Sequence, residues 1–428
     1  MATILTPKTV ISRRNAVKQM GRIGAVGLSK ALFPGWMPRL AFRKAGAPGD
    51  VLVAIFLRGG MDGLSVIVPY AEGATYYDRR PTIGIHEPNG SDSAVLDLDG
   101  YFGMHPSLRP LKDIYDAGSL AVIHAVGSPN PTRSHFDAME LIERGTPMDK
   151  STPNGWIGRH LESAAWQNDS PFRAIGMGSM LPTSLRGANS ALAMQSIADF
   201  HLNGREDQLR QITDTLSKLY TVEAPTDMLT TQAADVFSTM SLLQTMSAVE
   251  YTPENGAEYP DSDFGMGLKQ IAQLIKAGVG LEVGCVDLGG WDMHDNQGGV
   301  EEYSWMSRQL TELSSGLAAF YADLGEWMSN VSVVTMSEFG RRVEENASHG
   351  TDHGRASCMF VMGGGIKGGM YAKWPGLTSD ALDDGDLAVT TDYRDVIAEV
   401  LANRVLNPAL DQVFPNYTPN FLGLVKAR

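Results

Sequence analysis

Acidic and imidazole side chains follow several short apolar runs of this sequence, where polar groups would stand at the ends of buried strands. Carboxylates supply charge and neutral imidazoles supply nitrogen, which are the ligand types that divalent metals use in proteins. The pattern therefore predicts a site for one or two divalent ions, with Zn, Mg, Ca and Mn as candidates. The candidate ligands are Asp62, Asp292, His294 and Glu338, which follow such runs, and Asp352 and His353, which lie in the loop before the apolar run Cys358–Met362.

A hydroxyl residue stands where a helix should begin. Ser134 directly precedes a helical apolar pattern over residues 136–142, so we expect it at the helix entrance. Arg133 beside it is a candidate for holding an anion, and Arg58 is a second one. A hydroxyl near bound metals is typical of nucleophilic attack on an ester. Thr132 is the other candidate nucleophile, but it lies further back in the loop.

Each of these residues also has a structural interpretation. Asp62 lies between glycines and would serve in a turn. Ser134 would serve only as an N-cap, and Glu338 would form a surface salt bridge with Arg341. The segment Asp352–Gly354 is the strongest single motif. The metal hypothesis therefore depends on the joint placement of these residues at one edge of a sheet.

The apolar runs and the helical patterns alternate along the chain. This order predicts an α/β fold, with a mostly parallel central sheet covered by helices on both faces. In such sheets functional residues collect at the carboxyl ends of the strands. Residues 195–265 contain helical stretches and the polar loop Tyr251–Asp263, and they predict a helical insertion. The predicted strands are Val51–Leu57, Leu120–Val126, Phe172–Gly176, Leu281–Leu288, Val331–Met336 and Cys358–Met362, and the predicted helices are Gly267–Ala277, Tyr303–Met328 and Thr391–Leu406.

The first 47 residues form a separate region, with nine Lys or Arg and no acid. Arg13 and Arg14 are followed by Lys18 and by a weakly apolar stretch that is too short and too charged to span a membrane. This pattern predicts a twin-arginine export signal over residues 1–47 and a periplasmic or secreted domain over residues 48–428. The alternative is a basic, disordered tail.

The rest of the chain holds 26 basic against 49 acidic residues. A domain this acidic is a poor candidate for binding nucleic acid or an anionic membrane surface. We therefore expect no nucleic-acid partner, and membrane contact only during export.

The two cysteines, Cys285 and Cys358, each lie in an apolar run. Buried free thiols are expected, with a bridge between adjacent strands as the alternative. Two further histidines, His105 and His124, are expected to be structural. Four histidines lack any such context: His86, His160, His201 and His349.

Five sequence blocks together resemble those of a widespread bacterial family of exported proteins without an assigned function. That family is placed in the alkaline phosphatase–sulfatase superfamily. The blocks span residues 57–63, 132–136, 289–294, 337–341 and 350–354.

The resemblance implies a dinuclear metal site with a hydroxyl nucleophile between the metals. Asp62 matches the first-strand ligand, Ser134 matches the nucleophile, and Glu338 matches the acid of the usual Asp-His-Gly block. Asp292 and His294 match the ligands of the other metal, although the superfamily usually spaces them four apart rather than two. His353 matches the late histidine ligand.

One position departs from that pattern. Phe339 stands where a ligand histidine is expected, so one metal loses a nitrogen donor unless Asp352 or His349 replaces it. The features together predict an exported metal-dependent hydrolase of phosphate monoesters or diesters, acting on a small or polymeric substrate. A sulfatase is one alternative, but the Cys/Ser-x-Pro-x-Arg block of sulfatases is missing near residue 134. The other is a non-catalytic metal-binding or accessory protein that keeps the fold, and Phe339 favours it.

Overall fold

The apolar runs form the central sheet of the protein. The computed structural model describes residues 49–164, 170, 172–188, 190–197 and 251–428. The predicted export signal and residues 198–250 of the predicted insertion lie outside these ranges. Within them, no helix has the length and apolar character that crossing a membrane requires.

Nine strands of the described chain pair in one sheet, in the order β11-β5-β10-β9-β1-β8-β6-β7, with β12 also paired to β5. A separate small sheet has the order β2-β4-β3. The strands are β1 (Val51–Leu57), β2 (Ile67–Val68), β3 (Leu96–Asp97), β4 (Gly103–Met104), β5 (Leu120–Gly127), β6 (Ala174–Met177), β7 (Ala191–Met194), β8 (Val283–Leu288), β9 (Val331–Met336), β10 (Ser357–Gly363), β11 (Gly369–Ala372) and β12 (Thr391–Asp392).

The pairing in the large sheet is parallel except around β10. That strand runs antiparallel to both β5 and β9, whereas β1 is parallel to β8 and β9. The amino end of β10 therefore lies at the same edge as the carboxyl ends of β1, β5, β8 and β9. A loop that precedes β10 can thus meet loops that follow the other four strands.

Helices connect and cover the strands. Four of them begin at side-chain caps, since Asp62, Ser262, Ser304 and Asp392 each accept a hydrogen bond from a backbone N–H of the first turn. The helices are α1 (Gly63–Val66), α2 (Ala74–Tyr77), α3 (Arg109–Asp116), α4 (His135–Arg144), α5 (Trp156–Ser163), α6 (Asp263–Ala277), α7 (Trp305–Leu324), α8 (Tyr393–Val400) and α9 (Leu410–Val413).

Both faces of the sheet are covered at its centre, because every residue of β1 is buried. Leu52, Ala54 and Phe56 share one core with residues of α4, α5 and α8. On the other face α6 packs against β8, with Ile271 directly over Gly284. The predicted fold class, a mostly parallel sheet between two helical layers, is confirmed.

The buried strands were easier to predict than the edges. The bounds of β1 and β9 match the prediction, while β5, β6, β8 and β10 differ from it by one or two residues at one or both ends. Three short strands near the sheet edges, β7, β11 and β12, were not predicted. Both cysteines are buried and free, because β9 and β1 lie between their strands β10 and β8.

Candidate metal centre

Four donor atoms from three loops meet at the edge defined by the carboxyl ends of the strands. The His353 Nε2 atom lies 3.0 Å from His135 Nε2 and 2.9 Å from His294 Nε2. Asp292 Oδ1 lies 3.2 Å from His353 Nε2 and 3.1 Å from His294 Nε2. Asp292 and His294 follow β8, His135 begins α4 after β5, and His353 precedes the antiparallel β10. The fold thus gathers residues that are over 200 positions apart.

The other nitrogen of each ring faces a hydrogen-bond acceptor. An Nδ1 atom that donates its proton to such an acceptor leaves Nε2 as the unprotonated nitrogen of a neutral imidazole. The Nδ1 partners are Glu338 Oε1 at 2.7 Å for His135, Asp352 Oδ1 at 3.0 Å for His294 and the Arg133 carbonyl oxygen at 2.8 Å for His353.

The Nε2 atoms of His135 and His294 thus both lie next to His353 Nε2, and His135, Asp292 and His353 offer ligand atoms that all lie within 4.8 Å of one another. Lone pairs about 3 Å apart repel unless a cation lies between them. Three imidazole nitrogens and one carboxylate oxygen are a common donor set for zinc, which takes four ligands in most protein sites. Histidines that ligate metals also donate their remaining N–H to a carboxylate or carbonyl, as all three do here. The residues present therefore fit a single divalent ion.

Asp292 is held in its charged form by a buried guanidinium. Its side chain is half exposed, and Arg341 Nη2 donates to Oδ1 at 2.7 Å. Partial burial opposes ionisation, but the hydrogen bond and charge of Arg341 prevail and lower the pKa of Asp292 to about 2. Burial lowers the pKa of His353 below its ordinary value, which keeps this ring neutral and able to bind a metal. The hydrogen bond from His294 lowers the pKa of Asp352.

Phe339, the position where a ligand histidine is expected, contributes packing instead. Its ring is buried and lies 4.8 Å, centre to centre, from the rings of both His135 and His353. Gly60 lies against it, since a Cβ there would come within 2.5 Å of the Phe339 ring. Phe339 therefore supports two of the three imidazoles without supplying a donor atom.

The structure does not place Asp62 among the converging donors. The carboxylate is buried and receives Arg80 Nη1 at 2.6 Å and Arg80 Nη2 at 3.0 Å. Ser65 Oγ and Gln297 Nε2 also donate to Oδ2, at 2.6 and 2.9 Å. Burial opposes the charge of Asp62, but Arg80 prevails and lowers its pKa. Because protein donors occupy both oxygens, Asp62 is the counter-ion of Arg80 in this structure.

Glu338 and Asp352 lie behind the histidines rather than among the Nε2 atoms. Glu338 is fully buried and also accepts a hydrogen bond from the Gly59 backbone N–H at 2.8 Å. The structural interpretation of Glu338 does not hold, because Arg341 pairs with Asp292 instead. Both acids orient an imidazole.

Ser134 is the N-cap residue of α4, next to His135, and is exposed. Its hydroxyl makes no capping hydrogen bond to the helix.

The side chain of Arg133 is held by the buried Asp386, with Nη2 2.5 Å from Oδ2. Arg58 is paired with Glu143 and Asp287. Neither predicted anion-binding guanidinium is thus free in this arrangement.

His135 was not among the predicted ligands. Its signal was present, because it stands in the same post-strand block as Ser134, and Asp292 and His294 follow a strand in the same way. The expected structural role of His105 and His124 is confirmed: both rings are buried and bonded to backbone groups. Burial lowers the pKa of each to about 4.

The fold and the donor set define an α/β protein with a candidate metal centre at the edge of its sheet. The chain belongs to the family described as "Protein of unknown function (DUF1501)", whose model matches residues 50–409. No curated protein matches it.

Several solved structures are distantly similar. The C-terminal periplasmic domain of EcEptC from Escherichia coli, in complex with Zn, is 12% identical over 76% of this chain and 76% of that chain, with a TM-score of 0.33. The PsFucS1 sulfatase from Pseudoalteromonas sp. is 12% identical over 89% of this chain and 71% of that one, with a TM-score of 0.37. A protein in the alkaline phosphatase superfamily from Vibrio parahaemolyticus is 9% identical over 76% and 63%, with a TM-score of 0.32. Similarity this low to solved structures does not assign a function, which therefore depends on the chemistry of the site.

Proposed function

We propose that this protein is a metal-dependent hydrolase of phosphate esters that holds one divalent ion, zinc by its donor set, at His135, His294, His353 and Asp292. The observation that supports the ion is the convergence of three Nε2 atoms whose rings are each fixed by an Nδ1–H donated to an acceptor. A bound divalent ion supplies positive charge that polarises a phosphoryl oxygen and acidifies a nearby hydroxyl.

The residues around the centre suit an anionic substrate. Ser134 and His135 form the start of the ten-residue helix α4. The free N–H groups of a first helical turn carry partial positive charge and favour phosphate oxygens. The Ser134 hydroxyl is the proposed nucleophile, since it is exposed, adjacent to a metal-ligating residue and not engaged as a cap.

An exported, non-catalytic metal-binding protein is the second candidate. The observation that favours it is the engagement of Arg133 and Arg58 in ion pairs, which leaves neither guanidinium free to bind a transferred phosphoryl group. In both candidates the protein is exported through the signal in residues 1–47. Fractionation that found the chain only in the cytoplasm would remove export from the proposal.

Metal analysis and substrate assays on the same preparation test the proposal. We expect one zinc per chain, and hydrolysis of an aryl phosphate or a phosphodiester that a chelator abolishes and zinc restores. Zinc without any hydrolysis would favour the non-catalytic candidate. Hydrolysis of an aryl sulfate alone would favour a sulfatase, and a chain that binds no divalent ion would end the proposal.

Substitution of Ser134 tests the nucleophile. Ser134→Ala should lower hydrolysis by several orders of magnitude, because an in-line nucleophile is lost. Its zinc content should stay at the wild-type level and its stability should fall by no more than about 2 kcal/mol. Thr132→Ala is the matched control, since Thr132 Oγ1 only accepts a hydrogen bond from the Ser134 backbone N–H. Full activity in Ser134→Ala would contradict the assignment, and loss in Thr132→Ala alone would move the nucleophile there.

A further inference from the structure

Arg341 is a completely buried guanidinium that reaches three of the loops around the metal centre. It follows β9, and its side chain has no exposed surface. Its Nε atom donates to the Gly60 carbonyl at 2.7 Å, and its Nη1 atom donates to the Thr351 carbonyl at 2.8 Å. Its Nη2 atom donates to the carbonyls of Gly59 and Trp291. The backbone on either side of the centre is thus tied to one planar group.

The same Nη2 atom also donates to Asp292 Oδ1 at 2.7 Å. Oδ1 is the oxygen that lies 3.1 and 3.2 Å from the Nε2 atoms of His294 and His353. Asp292 itself is half exposed, so packing alone does not fix its carboxylate. The bond from Arg341 is what directs Oδ1 toward the two imidazoles.

The fixed geometry of the guanidinium makes this role specific to arginine. Its planar fork presents five donors at set angles, whereas a lysine ammonium on a flexible stem cannot bond four carbonyls and a carboxylate together. The side chain is also sealed from solvent, which excludes direct contact with a substrate. Among the described acids, Asp292 is the one with which Arg341 forms an ion pair.

We infer that Arg341 is a positioning residue for the proposed metal centre: it fixes Asp292 Oδ1 so that this oxygen is held ready, beside the imidazole nitrogens, for one divalent ion. This inference rests on the proposed function, because it concerns the same ion. The inference goes beyond the proposed function because it assigns to Arg341 a contribution to metal affinity, and this contribution acts through Asp292.

A double-mutant cycle on zinc affinity tests the inference without any assay of activity. Zinc dissociation constants are measured by chelator competition for the wild type, Arg341→Lys, Asp292→Asn and the double variant. Losing a partner of a metal-ligating carboxylate costs about 10–100-fold in affinity, and we expect Arg341→Lys to fall in that range. In the Asp292→Asn background the same substitution should cost less than about 3-fold, because the carboxylate that Arg341 positions is gone.

The control variant is Arg58→Lys, which alters another paired arginine at the same edge of the sheet and should leave zinc affinity unchanged. An equal loss in both backgrounds would assign Arg341 a purely structural role and overturn the inference, as would no loss in either. Arg341→Met, with the charge removed, repeats the cycle if the lysine variant fails to fold. A wild-type chain that binds no zinc would overturn the proposed function as well, and that result is seen before any variant is compared.

Discussion

Two carboxylates at the ends of neighbouring parallel strands each pair with a buried arginine. They differ in whether the arginine leaves a carboxylate oxygen available to a cation. Asp62 follows β1 and Asp292 follows β8, and each is bonded to a guanidinium with no exposed surface. Arg80 contacts both oxygens of Asp62, and Ser65 and Gln297 complete the shell. Arg341 contacts Oδ1 of Asp292, and that oxygen also faces the Nε2 atoms of His294 and His353.

The difference shows that an acid at a strand end is a metal ligand only when its lone pairs remain available. In the Asp62 region every strong acceptor already has a donor, so an added cation would have to displace a guanidinium. In the Asp292 region imidazole nitrogens lie beside a carboxylate oxygen, so a cation would meet nitrogen and oxygen donors without displacing a guanidinium. This contrast favours one ion per chain in the proposed centre, where the family resemblance implied two.

The largest effect on zinc affinity is expected from removing the imidazole at the middle of the centre. His353 Nε2 contacts the Nε2 atoms of both other histidines, so His353→Ala removes a ligand and separates the rest. If the roughly 10–16 kcal/mol of a structural zinc site is shared by four ligands, one ligand accounts for about 3 kcal/mol, or about 100-fold in affinity. We expect at least that loss by chelator competition, together with loss of hydrolysis.

His86→Ala is the matched control, because His86 is exposed and has no place in the centre. It should bind zinc and hydrolyse esters as the wild type does. Zinc affinity that is unchanged in His353→Ala would mean that the converging nitrogens are not a metal site, and the contrast with Asp62 would lose its basis.

The second effect concerns the Asp62 region. Arg80→Ala leaves a buried carboxylate without its counter-ion, and breaking a buried pair in this way costs about 3–5 kcal/mol of unfolding free energy. The double variant Asp62→Leu/Arg80→Met replaces the pair with apolar groups of similar size, which is often neutral for stability. Denaturant unfolding of the metal-free variants measures both values.

Zinc content separates the two interpretations of Asp62. If Asp62 is only the counter-ion of Arg80, the Asp62→Leu/Arg80→Met chain should fold and still bind one zinc with wild-type affinity. Loss of zinc from a folded double variant would return Asp62 to the ligand set. A second zinc in the wild type would have the same consequence.

The sequence was sufficient for the parts of the fold that depend on continuous burial. Val51–Leu57 and Val331–Met336 are apolar on both faces, as central parallel strands require, and their bounds were predicted correctly. Edge strands such as Gly369–Ala372 carry partly exposed residues and have no comparable pattern. Their pairing depends on partners far away in the chain.

The residues that gather at the centre were predicted more fully than their roles. Asp292, His294, Glu338, Asp352 and His353 lie together, because position directly after a strand, or directly before the antiparallel strand β10, is a property of the sequence. What distinguishes a ligand from a supporting acid is the direction of each side chain, and that depends on distant partners. Asp62 meets Arg80 only through the tertiary fold, so its engagement could not be predicted.

The smallest effect is the pH dependence of stability, which should differ between the two regions. The pKa of His353 is lowered in the folded protein by burial, so the unfolded chain takes up a proton first as the pH falls below the ordinary value of 6.5. The metal-free protein should therefore lose stability as the pH falls below about 6.5. The pKa of Asp62 is lowered below 3.8 by Arg80, against the effect of burial, so its contribution stays complete until the pH falls below that value. Thermal unfolding of the metal-free chain between pH 7.5 and pH 5 measures the difference.

His353→Gln should reduce the loss of stability over this pH range, because the titrating ring is removed. Asp62→Leu/Arg80→Met should leave the loss unchanged, because the Asp62 carboxylate titrates only at lower pH. An unchanged pH profile in His353→Gln, or a flattened one in the double variant, would show that the two regions do not titrate as their contacts imply.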